Sequence, residues 1–256
     1  MFRRIFWTAL VVALFTGALV TPLQLYSTVP LILEAEIHEG AQMAAAHPMG
    51  TGTHAVHEHG HEHGHEQIHD HADAHDAEWT PDNGAERTFY TGLTTILAAF
   101  GYALVLCALC SLLPAAGWLT GLLLGLAGYI SFQIAPALGL PLLPPGVEQS
   151  EIAGRQLWWL FSASATAAAI GCAWLAWQRR RAAYAVTAVG LLLLPWLIGA
   201  PVAPASQTVI PDELLRDFRI AALLIAGVFW SVLGITTGLL WDNRRWLRSA
   251  QEPAGQ

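Results

Sequence analysis

Histidines separated by single glutamate and glycine residues are the feature of this sequence most suited to chemistry. The stretch HEHGHEHGHE covers residues 57–66, and all 11 histidines of the 256-residue chain fall between His38 and His75. A neutral imidazole offers a lone pair to a divalent transition metal, and nearby carboxylates add ligands. The pattern therefore predicts a metal-binding segment. Its predicted ligands are His54, His57, His59, His61, His63, His65, His69, His71 and His75.

The spacing of this His-rich run matches neither one face of a helix nor a fixed zinc-finger pattern. We therefore expect residues 47–75 to be disordered without metal and to wrap an ion without a preformed cage. Such a run binds Cu²⁺, Ni²⁺ or Zn²⁺ at least as tightly as Co²⁺, so it does not identify the metal. The alternative is a solvated tail with no role in metal binding.

A second candidate metal site lies nearer the first apolar segment. If that helix continues through LILEAEIHEG, Glu34 and His38 lie one turn apart on one face. A carboxylate and an imidazole at this spacing can share an ion and receive it from the His-rich run. The alternative is that Glu34, Glu36 and Glu39 only mark the boundary with water.

Gln24 and Gln133 are the notable polar side chains deeper in the apolar segments. Polar groups at such positions either line a path for a solute or bridge neighbouring helices by hydrogen bonds. We predict a path between helices near these two residues, with bridging as the alternative.

The composition places these residues in a membrane protein. The chain is 54% apolar and 12% charged, whereas soluble domains carry about 25% charged residues. Apolar stretches of roughly 20 residues predict six membrane-spanning helices. They are Ile5–Leu33, Phe89–Leu113, Gly117–Leu138, Leu157–Trp177, Ala182–Gly199 and Phe218–Trp241. The predicted fold is an all-α polytopic transmembrane bundle.

Four segments follow from this pattern. Residues 1–33 form the first transmembrane helix, 34–87 an acidic, His-rich extracytoplasmic loop, 88–248 the remaining helices and 249–256 a cytoplasmic tail. All 12 basic residues are arginines, and a cytoplasmic N-terminus puts eight of them inside and four outside. This asymmetry predicts cytoplasmic termini and an external His-rich loop. The formal net charge of −7 argues against nucleic acid as a partner.

Small residues indicate how the helices pack. The pairs Gly121/Gly125 and Gly234/Gly238 have the spacing that lets helix backbones approach closely in lipid. Cys107 and Cys110 lie within a predicted span, where they serve as small core residues rather than as a redox pair or half of a zinc site. The sequence contains no phosphate-binding loop, nucleophile elbow or His-Glu-x-x-His motif, so we expect neither an enzyme nor a tightly bound cofactor.

Four segments stand in a specific order: VPLILEAE at the end of helix 1, PALGLPLLPPG after helix 3, RQLWWL at the start of helix 4 and FWSVLGITTGLL in helix 6. Together they resemble the CbtA family, the proposed cobalt transporter subunit. Their order and spacing carry the resemblance over nearly the whole chain. It implies cobalt uptake across the bacterial inner membrane, linked to cobalamin supply, and a small one-helix partner, CbtB, with a histidine-bearing motif.

The combined hypothesis is a membrane subunit of a cobalt uptake transporter. The external loop captures the divalent metal at residues 54–75, Glu34 and His38 hand it on, and it passes near Gln24 and Gln133. One alternative is a transporter of another divalent metal, nickel or zinc. Another is a membrane protein that buffers or senses metal and transports nothing.

Overall fold

The computed structural model describes residues 2–46, 84–113, 116–144, 152–201 and 210–249, which are helical and contain no strand. The elements are α1 (Phe2–Ala46), α2 (Ala85–Leu112), α3 (Trp118–Tyr129), a π-helical segment (Ile130–Ile134), α4 (Ala135–Gly139), α5 (Ile152–Arg179), α6 (Ala182–Ile198) and α7 (Asp212–Ser249). This confirms the predicted all-α class. The His-rich run from 47 to 75, with its nine predicted ligands and its expected disorder, lies outside the described residues.

Each of the six predicted spans corresponds to a helical rod, because α3, the π-helical segment and α4 follow one another without a break. Five rods in the described ranges are long and apolar enough to cross a membrane, while α6 has 17 residues and is shorter. A helix of that length extends about 26 Å. It therefore lies at the lower limit for crossing a hydrocarbon core of about 30 Å.

The positions of α5 and α7 show that α6 nevertheless returns the chain across the bundle. Near the start of α5, the Trp158 indole packs on Gly139 at the end of α4. At the start of α7, Leu214 and Leu215 pack with Ala35 of α1 at the same end of the bundle. Helix α6 packs along α5 and leads from the far end of α5 back to the start of α7. The chain therefore passes along the bundle six times.

The opposite end of the bundle joins the start of α1 to α7. Arg4 Nη2 donates a hydrogen bond to the carbonyl oxygen of Trp241 at 2.7 Å. The Arg4 guanidinium also lies 4.1 Å from the centre of the Trp241 ring, a cation–π geometry. We call this the Arg4 end, and the end that contains Ala35 and Glu36 the Glu36 end.

Helix α7 packs against α1, α2 and α3, and its contact with α3 is made by glycines. A methyl group on Gly121 would overlap the carbonyl oxygen of Gly234, and one on Gly238 would overlap that of Gly117. Backbones this close leave no room for a side chain between them. The predicted packing role of the two glycine pairs is therefore confirmed.

Small residues form a large part of the core in the Arg4 half. Ala9, Ala13, Ala99, Cys107 and Cys110 have no exposed surface and belong to one apolar cluster. Both cysteines are free thiols in this cluster, as the sequence predicted. The helices consequently lie in close contact throughout this half.

Replacing Gly234 by leucine is expected to destabilise the bundle, because the side chain must displace the α3 backbone. Overpacking of this kind costs about 1–3 kcal/mol. Gly171→Leu is the matched control, since nothing lies within 4 Å of a methyl group at that position. Thermal unfolding in detergent, followed by tryptophan fluorescence, should give a lower midpoint for Gly234→Leu only. Equal midpoints for the two variants would contradict the proposed α3–α7 contact.

Candidate functional site

The sequence placed a two-residue metal site at Glu34 and His38. Helix α1 does continue through both residues, so they lie one turn apart as expected, with Glu34 exposed and His38 half-buried. Within the described ranges no group of three or more His, Cys, Asp or Glu residues is arranged to hold a metal ion. Metal binding by Glu34 and His38 stays a prediction.

Gln24 and Gln133, 109 positions apart in sequence, both line one cavity. It has a volume of about 510 Å³ and lies between α1, α2, α5, α7 and the π-helical segment. Helix α1 contributes one row of side chains at four-residue intervals: Val20, Gln24, Thr28 and Ile32. A volume of this size lies in the range of small-molecule sites. The structure therefore brings the two glutamines to a common space, while their role in passage stays a prediction.

Uncharged groups supply the polarity of this cavity. The polar side chains in its lining are Gln24, Thr28, Thr94, Thr95, Tyr102 and Gln133. The Thr95 hydroxyl donates to Gln24 Oε1 at 2.7 Å and also lies 2.7 Å from the Thr91 carbonyl oxygen. Gln24 thus bridges α1 and α2, the alternative considered from sequence, and lines the cavity as well. None of the described lining residues is a His, Cys, Asp or Glu.

Aromatic rings close the cavity on the side of the Arg4 end. The Trp230 indole stacks on Phe132 with centroids 5.7 Å apart and an interplanar angle of 8°. The Tyr102 ring lies 4.6 Å from the same indole. Trp230 fits here because Gly128 has no side chain, and a methyl group there would overlap the indole. We call Tyr102, Phe132, Phe229 and Trp230 the aromatic floor.

The π-helical segment positions Phe132 and Gln133 in this wall. Pro136 has no N–H, so the carbonyl of Phe132 loses its usual donor four residues on, and the ring crowds that carbonyl. The chain widens by one residue here, and the Ala135 N–H bonds to the Ile130 carbonyl five residues back. Widened turns of this kind occur frequently at functional sites. Pro136, the first residue of PALGLPLLPPG, thus favours the π-helical turn that places Phe132 and Gln133 in the cavity wall.

At the Glu36 end, an ion pair joins the two helices that form one side of the cavity. Arg87 Nη1 and Nη2 donate to Glu36 Oε1 and Oε2 at 2.9 and 3.0 Å. Glu36 lies one turn beyond Ile32 and continues the cavity-lining row of α1. Glu34 and His38 lie on the opposite side of α1, because two residues turn a helix by about 200°.

Other contacts close the remaining sides of this end. Ala35, Leu214 and Leu215 belong to an apolar cluster between α1 and α7. Arg219 Nε donates to the carbonyl oxygen of Leu142 at 3.1 Å, which ties α7 to the segment after α4.

Two structural features of the site were missed from sequence. Glu36 was considered only as a boundary marker, and Arg87, one of the four arginines assigned to the outside, was not paired with it. The aromatic floor was also missed. Its signal was that Tyr102 and Trp230 lie in the middle of predicted spans, whereas tryptophan and tyrosine concentrate at membrane interfaces.

Comparison with protein families finds one whose model matches residues 2–242, nearly the whole chain. That family is described as "Probable cobalt transporter subunit (CbtA)". Comparisons with curated proteins and with solved structures find no match.

A cysteine placed in the cavity should react with a water-soluble thiol reagent that does not cross membranes. Ala222 lines the cavity, whereas Leu224 on the same helix is 66% exposed on the outer surface of the bundle. In a Cys172→Ala background, we expect labelling of Ala222→Cys and not of Leu224→Cys, because only the cavity is polar. Mass spectrometry after labelling of protein in vesicles measures the difference. Labelling of Leu224→Cys alone would contradict the assignment of the cavity.

Proposed function

Because its sequence matches the family model from residue 2 to 242, the chain belongs to the CbtA family of probable cobalt transporter subunits, and we propose that it carries cobalt into a bacterial cell. The observation that carries this proposal is the cavity that unites Gln24 and Gln133 inside a multi-pass helical bundle. Polar side chains within spans are costly unless they serve packing or a solute path, and here they border an open space.

The proposed location is the cytoplasmic membrane, with both termini inside and the His-rich loop outside. Six crossings put the two termini on the same side, and Arg4 contacts Trp241 near the start and the end of the chain. Eight of the 12 arginines then face the cytoplasm, which agrees with the positive-inside rule. The Glu36 end of the cavity faces the outside in this orientation.

The proposed route has three stages. Histidines at positions 54–75 capture the divalent ion, Glu34 and His38 pass it around α1 to the face that lines the cavity, and the cavity admits it to the bundle. Neutral amide and hydroxyl oxygens bind divalent transition metals more weakly than imidazole does. Weak binding within the cavity suits transport, because an ion that binds too tightly does not leave.

A partner subunit is part of the proposal. The family description names the protein a subunit, which supports assembly with another protein. We propose a small one-helix, CbtB-like partner that bears histidines. The chain carries no ATP-binding motif, so the driving force comes from an ion gradient or from a partner.

Replacing a cavity glutamine by leucine removes an amide oxygen while keeping a similar volume. We expect Gln24→Leu and Gln133→Leu each to lower the initial rate of cobalt uptake about tenfold, which corresponds to the loss of about 1.4 kcal/mol of interaction with the ion. Gln156→Leu, at an exposed position of α5 outside the cavity lining, is the control. Radioactive cobalt accumulation, with the one-helix partner co-expressed, measures the rate. An unchanged rate in both cavity variants would contradict the route. Uptake of nickel or zinc but not of cobalt by the wild-type protein would identify a different metal as the cargo.

Deleting residues 54–75 tests the capture stage. We expect lower uptake at scarce metal and unchanged uptake at saturating metal, because the loop only raises the local ion concentration. In the intact protein, metal binding should also be weaker at pH 5.5 than at pH 7.5, since ligation needs neutral imidazole. A protein that only buffers metal would instead lose binding with no change in flux. Equal affinity at the two pH values would contradict capture by histidine.

A further inference from the structure

The ion pair between Glu36 and Arg87 has the geometry of a specific contact. Both guanidinium Nη atoms bond to the two carboxylate oxygens, at 2.9 and 3.0 Å, and they join α1 to α2 across 51 positions of sequence. Bidentate pairs of this kind are among the stronger polar contacts in proteins. The two side chains differ in access to water, with 36% of Glu36 and 15% of Arg87 exposed. The carboxylate can therefore be reached from solution while the arginine is largely covered.

The pair lies one turn beyond the last cavity-lining residue of α1 and about two turns beyond the lining residues of α2. On α1, Glu36 follows Ile32 by one turn, and on α2, Arg87 precedes Thr95 by two turns. Residues spaced by four share a helix face, so both rows lead from the ion pair into the cavity. An ion that enters along these rows meets the pair before it meets Gln24 and Thr95.

The charges around this point favour exchange of cations at Glu36. The described residues that line the cavity are uncharged. At the same end, Arg219 is engaged with the Leu142 carbonyl, and Asp212, Glu213 and Asp217 of α7 are exposed. Glu34 also lies on the exposed side of α1, and Glu86 precedes Arg87 on α2. Glu36 is therefore the described carboxylate that continues the lining row.

A carboxylate at the border of an apolar bundle needs a cation beside it, because an unpaired charge there is costly. Arg87 fills this need when no metal is present. A divalent ion carries twice the charge of a guanidinium and binds carboxylate oxygens readily, so it can replace Arg87 beside Glu36, while the displaced guanidinium turns towards water at the Glu36 end. A monovalent ion has no such advantage over a bidentate guanidinium.

We propose that Glu36 is the first binding site for the hydrated divalent cation at the cavity and that Arg87 is a built-in competitor that the cation displaces. The pair thereby selects divalent over monovalent cations at the entrance. When the ion moves inward to the neutral cavity, Arg87 returns to Glu36. This inference rests on the proposed transport function and adds a residue-level site to it.

The structural alternative is that the pair only fastens α1 to α2. The structural alternative and the proposed competition predict opposite effects of Arg87→Gln on cobalt uptake. If the pair is only structural, removing either side chain lowers stability and uptake. Glu36→Gln and Arg87→Gln then have the same effect. Loss of a competitor leaves Glu36 free for the metal, so the cobalt concentration that gives half-maximal uptake falls.

The test measures cobalt uptake by the full chain with its partner over a range of cobalt concentrations. We expect Arg87→Gln to lower the half-maximal concentration about fivefold, the factor associated with a partly exposed ion pair. Glu36→Gln should raise it by a similar factor, and the double variant should match Glu36→Gln. Arg87→Lys keeps the charge without the bidentate geometry and should fall between wild type and Arg87→Gln.

Two controls separate the outcomes. Arg216→Gln breaks an exposed pair with Asp217 on α7 and should change nothing. Thermal unfolding midpoints identify any variant that is simply unstable, and the Arg87→Lys comparison then decides the question. Equal half-maximal concentrations for wild type, Glu36→Gln and Arg87→Gln would overturn this inference while the proposed function stands. No cobalt uptake by the wild type would overturn the proposed function, and this inference with it.

Discussion

Backbone contact between α3 and α7 determines the shape of the bundle. Gly121 and Gly125 meet Gly234 and Gly238 with no side chain between them. In lipid, where apolar side chains gain little from association, such close packing supplies much of the attraction between helices. Because the contact lies toward the Arg4 end, the helices are drawn together in that half of the molecule.

Beyond the glycines, α7 and the π-helical segment that follows α3 carry large rings. Trp230 on α7 stacks against Phe132 of the π-helical segment, and Tyr102 of α2 packs beside them. These rings hold the elements apart, and the cavity begins where they end. The side-chain volumes along these helices thus divide the bundle. Close packing occupies the Arg4 half, and the cavity lies on the other side of the aromatic floor. Closure of the cavity toward the Arg4 end has the same origin.

Charge is distributed to match this division. The cavity has amide and hydroxyl groups but no charged side chain among the described lining residues, and the Glu36–Arg87 pair lies one to two helical turns beyond the lining. A fixed charge deep in the bilayer would bind an oppositely charged ion strongly and would itself be costly to bury. An entrance that carries charge and an interior that is neutral allow an ion to be selected first and released afterwards. This arrangement agrees with membership in a family of transporter subunits.

The sequence by itself determined the class, the six helical rods, the packing role of the glycine pairs and the burial of Cys107 and Cys110. These properties depend on composition and local spacing, because the membrane sets the length and polarity of each span regardless of its neighbours. Gln24 and Gln133 also stood out locally, as polar residues in apolar stretches. Only the tertiary structure decided that they share a cavity, that Glu36 pairs with Arg87 and that the aromatic rings meet. Each of these contacts depends on which faces of two helices meet. The periodicity of a sequence does not show which distant residues come into contact.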